Sequence, residues 1–443
     1  MWDLDDAAVR WAVILQPGPG EYSDRKKMTM KIAFVINEFP CLSETFILNQ
    51  ITGMLDLGHD VEIFATSASS DSKTHPDVEK YHLLERTHYF PTTPGSKILR
   101  IITALRLIAS NLHKTPKILR YLKAYICGKR FLSLGWLHLF ILLCDRSFEI
   151  INCHYGFIGR VVVAFKEVGL TGGICTVFHG ADMSKYLLER GNDVYQNLID
   201  EGDLFLPISG YWKNKLIEMG CSENKIIVHH MGIDLDKFEY AERRIEPGQP
   251  VKILTIGRLT EKKGHEYAIK AVAKLLPNHS NIEYLIAGDG PLIDKLTSLV
   301  MELALAEKVR FLGALEQNEI IELYKQAHIF LLPSVTASDG DQEGIPVVLM
   351  EAAAVGLPIL SSDHTGIPEL VRNGQSGFTV PEKNVDALAE KLEYLIDHPQ
   401  VWPEMGRSAR NCVERDFNIT TLNRTLEQIF QNMPDRAKKY GSS

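Results

Sequence analysis

The chain has 443 residues, 45% of them hydrophobic and 23% charged, and a formal net charge of −8. That length predicts two domains, and the composition is that of a folded globular protein rather than a disordered or fibrous one. The longest apolar run, 131–144, falls short of the roughly 20 residues a membrane span needs. Seven scattered cysteines with no Cys-x-x-Cys pair exclude a disulfide framework and fit a reducing, cytoplasmic location.

Residues 1–29 lack the basic and apolar regions of a signal peptide and are expected to form a disordered extension. From Lys31 onward, short β-branched runs alternate with amphipathic stretches. Strands are expected at 32–36, 61–65, 149–153, 174–178, 204–208 and 226–228. A second set is expected at 253–257, 282–287, 309–312, 329–332, 358–361 and 378–380. Alternation of this kind predicts parallel sheets covered by helices on both faces. A polar segment containing Pro247, Gly248 and Pro250 separates the two sets. The expected fold class is therefore α/β, with two Rossmann-like halves at 30–240 and 241–414 facing a central cleft. Open α/β sheets bind ligands at the C-terminal ends of their strands. The remainder, 415–443, reads as a helix over about 415–433 that returns toward the first half, followed by a tail.

The loop after the first strand is Phe39-Pro-Cys-Leu-Ser-Glu-Thr-Phe46. Ser43 can cap the helix that follows, turning free amides toward the cleft. Ser43, Glu44 and Thr45, together with Asp182, form a candidate acceptor or phosphate loop. Capping alone is the plainer reading. Between Arg86 and Leu143 lie ten basic residues and no Asp or Glu. Two amphipathic helices, 97–109 and 116–126, fall inside that stretch and suit an anionic membrane surface. The alternative is a solvated face of ordinary surface helices. No helix-turn-helix or aromatic-interleaved pattern accompanies the charge, so nucleic acid is not an expected partner.

His179-Gly-Ala-Asp182 ends the strand 174–178 and would place the imidazole at the cleft; a core or capping histidine is the competing reading. In the second half, Gly257-Arg-Leu-Thr-Glu-Lys-Lys-Gly264 follows the first strand. Arg258 and Lys263 offer the fixed positive charge that a departing diphosphate needs. Gly288-Asp-Gly-Pro291 carries only part of a dinucleotide-binding fingerprint and reads as a tight strand-to-helix turn lining a nucleotide pocket. Asp339-Gly-Asp341 has a spacing that could hold a divalent cation, but no metal is expected, because Arg258 and Lys263 can do the same neutralising task. Finally, Glu343 and Glu351 flank a helix expected near 346–355, with Pro346 at its start and Gly356 past its end. Its N-terminus suits an anion. Spacing alone also fits a surface helix with two solvated carboxylates.

Taken in order, these pieces resemble the retaining glycosyltransferases of family 4, which have the two-Rossmann fold called GT-B. The matching motifs span about 31–430: His179-Gly-x-Asp182, His230-Met-Gly-Ile-Asp234 with Phe238, Gly257-Arg258 with Lys263-Gly264, Gly288-x-Gly-Pro-Leu292, Phe311-Leu-Gly313, Glu343-x7-Glu351 and Gly366-Ile-Pro-Glu369. The Phe39–Phe46 loop resembles the exopolysaccharide, colanic-acid-type branch. The resemblance implies that Glu343 contacts hydroxyls of the donor sugar and Glu351 those of the ribose. Amides near Val347 and Val348, with Gly344 and Ile345 before them, would meet the diphosphate or ribose. Gly257, Gly288, Gly290 and Pro291 would line the donor site. Arg258 and Lys263 would neutralise the leaving group, and His179 would sit beside the donor sugar. Many relatives carry a Gly-Gly pair in the first loop; Pro40-Cys-Leu-Ser43 stands there instead, which favours an acceptor role for 43–45.

The implied activity is transfer of a hexose from a UDP- or GDP-sugar to a glycan or lipid-linked oligosaccharide, without cofactor or metal, by a peripheral cytoplasmic enzyme. Three other readings stay open: a sugar-nucleotide epimerase or hydrolase on the same fold, a non-catalytic scaffold that binds a sugar nucleotide, and an NAD-dependent oxidoreductase. The missing third glycine speaks against the last.

Overall fold

A computed structural model describes residues 29–41, 44–69, 74–90, 97–111, 115–126 and 135–440. The expected extension 1–29 lies outside it except for Thr29. Twelve strands form two six-stranded sheets. The first contains β1 (Lys31–Phe39), β2 (Asp60–Ala68), β3 (Thr87–Tyr89), β4 (Ile150–His154), β5 (Gly173–Phe178) and β6 (Leu204–Pro207). The second contains β7 (Val251–Ile256), β8 (Ile282–Ala287), β9 (Val309–Gly313), β10 (Ile329–Leu332), β11 (Ile359–Ser362) and β12 (Gly377–Val380). Neighbouring strands run parallel throughout. Strands such as β4 and β10 are buried along their whole length because helices cover both faces.

The strand orders are β3-β2-β1-β4-β5-β6 and β12-β11-β10-β7-β8-β9. Both are the doubly wound order, in which the direction of winding reverses once. Ligands bind at that reversal, outside the strand C-termini. It falls between β1 and β4 in the first sheet and between β7 and β10 in the second. The loops leaving β1, β7 and β10 carry the 39–46, 257–264 and 339–351 motifs, and β5 and β8, beside β4 and β7, lead into 179–182 and 288–291.

Two strand expectations differ from the structure. Residues 226–228 make only a single bridge, from Ile226 to Phe205. The edge strand β3 went unread, because Thr-His-Tyr is too short to show a period. At the C-terminus a helix Trp402–Asp416 stops at Phe417, and a second, Ile419–Tyr440, begins beyond it. The second helix packs on the first half, where Asn423 Nδ2 donates to Asn49 O at 3.2 Å and Glu427 pairs with His59 at 3.1 Å. Among the described residues no helix is long and apolar enough to cross a membrane.

The two halves touch along the strand C-termini. Lys185 pairs with Asp339 at 2.7 Å. Glu369 accepts from the Gly210 amide at 2.8 Å through one oxygen and meets His230 Nε2 at 2.8 Å through the other. At Gly344 the two backbones come close. A Cβ there would lie 2.7 Å from His179 O and 2.4 Å from Ile208 Cδ1.

Candidate active site

The second half contributes charge. Gly257 follows β7, and Arg258 stands exposed beyond it; its carbonyl lies 3.1 Å from His265 Nε2, but its guanidinium has no hydrogen bond or ion pair to any described residue. A short 3-10 turn, Glu261–Lys263, then leads to Gly264, whose φ of +69° belongs to glycine's range. A Cβ on Gly264 would fall 1.9 Å from Pro333 O, so this glycine lets the β7 loop lie against the chain leaving β10. That contact brings two lysines to the segment before the helix Val347–Ala354. Lys263 Nζ is 3.2 Å from Glu343 Oε1 and Lys262 Nζ is 3.7 Å from it. Glu343 is 8% exposed. Burial pushes its carboxyl up, but the two ammonium groups outweigh that and hold it below the ordinary range. Its amide donates to His364 Nε2 at 3.1 Å, and His364 Nδ1 faces Glu382.

Asp341 pairs with Lys262 at 3.0 Å and Asp339 with Lys185 of the other half, so the two carboxylates serve different partners. The described His/Glu/Asp group compact enough for an ion is His279, Glu393 and Asp397. His279 precedes β8, at the opposite edge of the sheet from the cleft.

The helix Val347–Ala354 begins one residue later than expected, with Pro346 in the cap position and no side chain capping it. Val347 and Val348 form its half-buried first turn, and Ile345 is buried in front of it. Glu351 lies one turn in. The Tyr324 hydroxyl sits 2.9 Å from Glu351 Oε2 and 3.1 Å from Val348 O. Burial pushes the Glu351 carboxyl up to about 7, only partly offset by that hydroxyl. The two glutamates therefore differ in kind: one is held ionised by lysines, the other is poised to lose its proton near neutrality. Gly288, Gly290 and Pro291 form a turn laced to the Arg258 loop. Gly288 N donates to Gly313 O, Leu259 N to Asp289 O, and Leu292 N to Leu259 O. Pro291 is exposed at its tip.

The first half contributes neutral, well-bonded groups. His179 leaves β5 and His154 ends β4. Their rings stack at 5.2 Å, and His154 Nδ1 lies 3.0 Å from His179 Nε2. Burial drives the His179 imidazole down to about 3, so it is neutral at physiological pH. Asp182 is fully buried. Its carboxylate accepts from the amides of Gly156, His179 and Gly180 at 2.8–3.0 Å. It therefore holds the loop in shape. Glu44 precedes the helix Thr45–Asp56 without capping it and instead accepts from the Tyr155 hydroxyl at 2.5 Å. Burial raises the Glu44 carboxyl above the usual range. Thr45 is the first residue of that helix. Ser43 lies outside the described residues. A shallow recess opens beside this loop, lined among others by Glu38, Pro40, Cys41, Glu44 and His75.

Two family descriptions fit the two halves: "Glycosyltransferase Family 4" matches residues 43–237 and "Glycosyl transferases group 1" matches residues 236–414. The amylovoran biosynthesis glycosyltransferase AmsK of Erwinia amylovora is 38% identical over 413 residues, covering 91% of this chain and 100% of that protein. The colanic acid biosynthesis glycosyltransferase WcaL of Salmonella typhimurium is also 38% identical, with the same coverage. The chain belongs to this glycosyltransferase family. Its GT-B fold is shared with solved structures, among them Anabaena HepE in complex with UDP, with a TM-score of 0.69 at 16% identity over 91% of this chain and 100% of that one.

Several groups at the glycosyltransferase's cleft escaped the sequence reading. Lys262 reads as a loop cation, and only the fold pairs it with Glu343 across about 80 positions of chain. Tyr324 and His364 carry no motif. His154 was legible in principle, because it ends a strand next to the reversal, as His179 ends its neighbour.

Proposed function

We propose that this glycosyltransferase moves a hexosyl unit from a UDP- or GDP-sugar to a hydroxyl of a glycan or lipid-linked oligosaccharide in exopolysaccharide assembly. Transfer would retain the configuration at the anomeric carbon. The bond from that carbon to the leaving phosphate oxygen breaks, the bond to the acceptor oxygen forms on the same face, and the acceptor proton passes to the leaving phosphate. The observation that carries this reading is the cluster at the second reversal. Unpaired Arg258, the Lys262–Lys263–Glu343 group and an uncapped helix start converge there. A diphosphate would engage Arg258, Lys263 and the amides at Val347 and Val348. Glu343 would take sugar hydroxyls, and Glu351 the ribose. His179 would lie beside the sugar. The remaining carboxylates near the cleft are committed to amides, a tyrosine or lysines, which favours same-face displacement over a covalent carboxylate intermediate. With Arg258 and Lys263 as fixed cations, no metal or cofactor is needed.

A thermal-shift panel of UDP- and GDP-sugars tests this reading. A true donor at about 100 times its Kd should stabilise the protein by about 2.7 kcal/mol. Absence of any shift across both series would sink it.

A lipid-linked acceptor also fits the basic helices Lys97–Ser110 and Thr115–Ile126. They carry half of the large apolar side chains exposed among the described residues, including Leu99, Ile101, Leu105, Leu119 and Ile126. Apolar side chains beside Arg106, Arg120 and Lys123, with no acid between them, suit an anionic bilayer on the cytoplasmic side. Lys117 is engaged elsewhere, donating to Cys144 O at 2.6 Å. Charge reversal at Arg106, Arg120 and Lys123 should abolish co-sedimentation with phosphatidylserine vesicles, at about 1 kcal/mol per charge. Unchanged co-sedimentation would remove the membrane from the proposal.

A further inference from the structure

We infer that His154 is a positioning residue for His179, fixing which ring nitrogen of His179 presents a proton to the donor sugar. The inference rests on the placement of His179 beside that sugar.

Asn152 and His154 are two positions apart on a strand, so their side chains share a face. Asn152 Nδ2 lies 3.3 Å from His154 Nε2, and His154 Nδ1 lies 3.0 Å from His179 Nε2. Asn152 and His154 are fully buried, and His179 nearly so. An amide nitrogen only donates, so His154 Nε2 accepts. Neutral His154 must then carry its proton on Nδ1 and donate it to His179 Nε2. Neutral His179 in turn must carry its own proton on Nδ1. Burial keeps both rings neutral, as it does the nearby His229.

His179 Nδ1 has no partner among the described residues, while its ring is held by Phe46 and Tyr155 at 4.9 and 4.6 Å between centroids. The relay thus leaves one N–H donor, on a ring of fixed orientation, free for a ligand hydroxyl. Neutrality matters for the proposed transfer, since positive charge develops at the anomeric carbon. An imidazolium there would repel it, whereas a neutral N–H can hold a sugar hydroxyl without that penalty.

The decisive measurement on the unaltered full-length protein is a two-bond ¹H–¹⁵N correlation spectrum with labelled histidine. Signals would be assigned by their loss in His154→Phe and His179→Ala. Both rings should appear neutral and protonated on Nδ1; a His179 signal protonated on Nε2, or charged at pH 7, overturns the relay. In kinetics, His154→Phe keeps ring volume but removes both nitrogens. It should lower kcat about 10- to 100-fold by leaving His179 Nε2 unpaired, with KM for the donor within about 2-fold. His154→Asn, which returns an amide N–H near the Nδ1 position, should recover most of the loss. In a His179→Ala background, His154→Phe should cost nothing more, because the two act as one unit. An additive loss means that His154 acts independently and overturns the inference. Full activity of His154→Phe with an impaired His179→Ala defeats the relay alone. Full activity of His179→Ala defeats the underlying placement of His179, and the relay loses its purpose with it.

Discussion

The two strand-end regions that face each other across the cleft are built on the same topology and filled with opposite chemistry. At the β1/β4 reversal the polar groups are neutral or already hydrogen-bonded: two stacked imidazoles, a carboxylate accepting from three backbone amides, and a raised carboxyl against a tyrosine. At the β7/β10 reversal the groups are charged and only partly matched, and the Arg258 guanidinium has no partner among the described residues. A symmetric pair of Rossmann halves therefore makes an asymmetric site. The second half is fitted to the anionic end of a ligand and the first to its neutral end. The same fold permits this because loops at strand ends set the chemistry, while the sheets only position them.

That contrast can be broken from either side. The largest effect is expected in the first half and should appear as stability. Asp182→Ala leaves three buried amides without an acceptor and should cost about 3–5 kcal/mol in chemical denaturation. Donor affinity per folded molecule should hardly change; a stable Asp182→Ala protein with lost donor binding would place Asp182 in the site after all. The next effect belongs to the second half and should appear as rate. Lys263→Ala should lower kcat by roughly 10²–10³, the cost of losing one electrostatic contact to a leaving group. Undiminished turnover would take Lys263 out of the reaction.

The smallest effect concerns Glu351 and depends on pH. Its folded pKa of about 7 exceeds the ordinary 4.5, so the folded state holds the extra proton between those values, and stability falls as pH rises through that window. Glu351→Gln should match the wild type near pH 4.5 and exceed its stability by about 2 kcal/mol at pH 8, after a discount for partial exposure. If the carboxylate accepts ribose hydroxyls, nucleotide affinity in the wild type should also rise with pH up to about 7 and be weak and flat in the variant. Thermal unfolding and calorimetric titration at pH 5 and pH 8 check both.

The sheets were legible because buried parallel strands are continuous apolar runs, and eleven of the twelve lie within a few residues of where those runs predict. The short polar edge strand β3 gave no such signal, and 204–208 ends one residue early at Pro207. Of the candidate site, the residues at strand ends could be read, since strand termini are where this architecture presents side chains. Their partners could not. Nothing local links Lys262 to Glu343, Tyr324 to Glu351, or Glu369 to Gly210 and His230, because each pair is joined only by the packing of distant loops. Asp182 adds a bond set that its motif does not announce: its carboxylate also ties down the amides of its own loop and of Gly156.

The contact at Gly344 has a mechanical consequence. A single methyl at this position would collide with the carbonyl of His179 and the side chain of Ile208 in the opposite half. Nothing in that contact is charged, and nothing in it can rotate away except the isoleucine. Alanine at 344 would thus act as a wedge, setting the halves farther apart while every lysine, glutamate and histidine keeps its own side-chain chemistry. The width of the gap, and with it the alignment of whatever bridges it, is governed by the absence of one carbon atom.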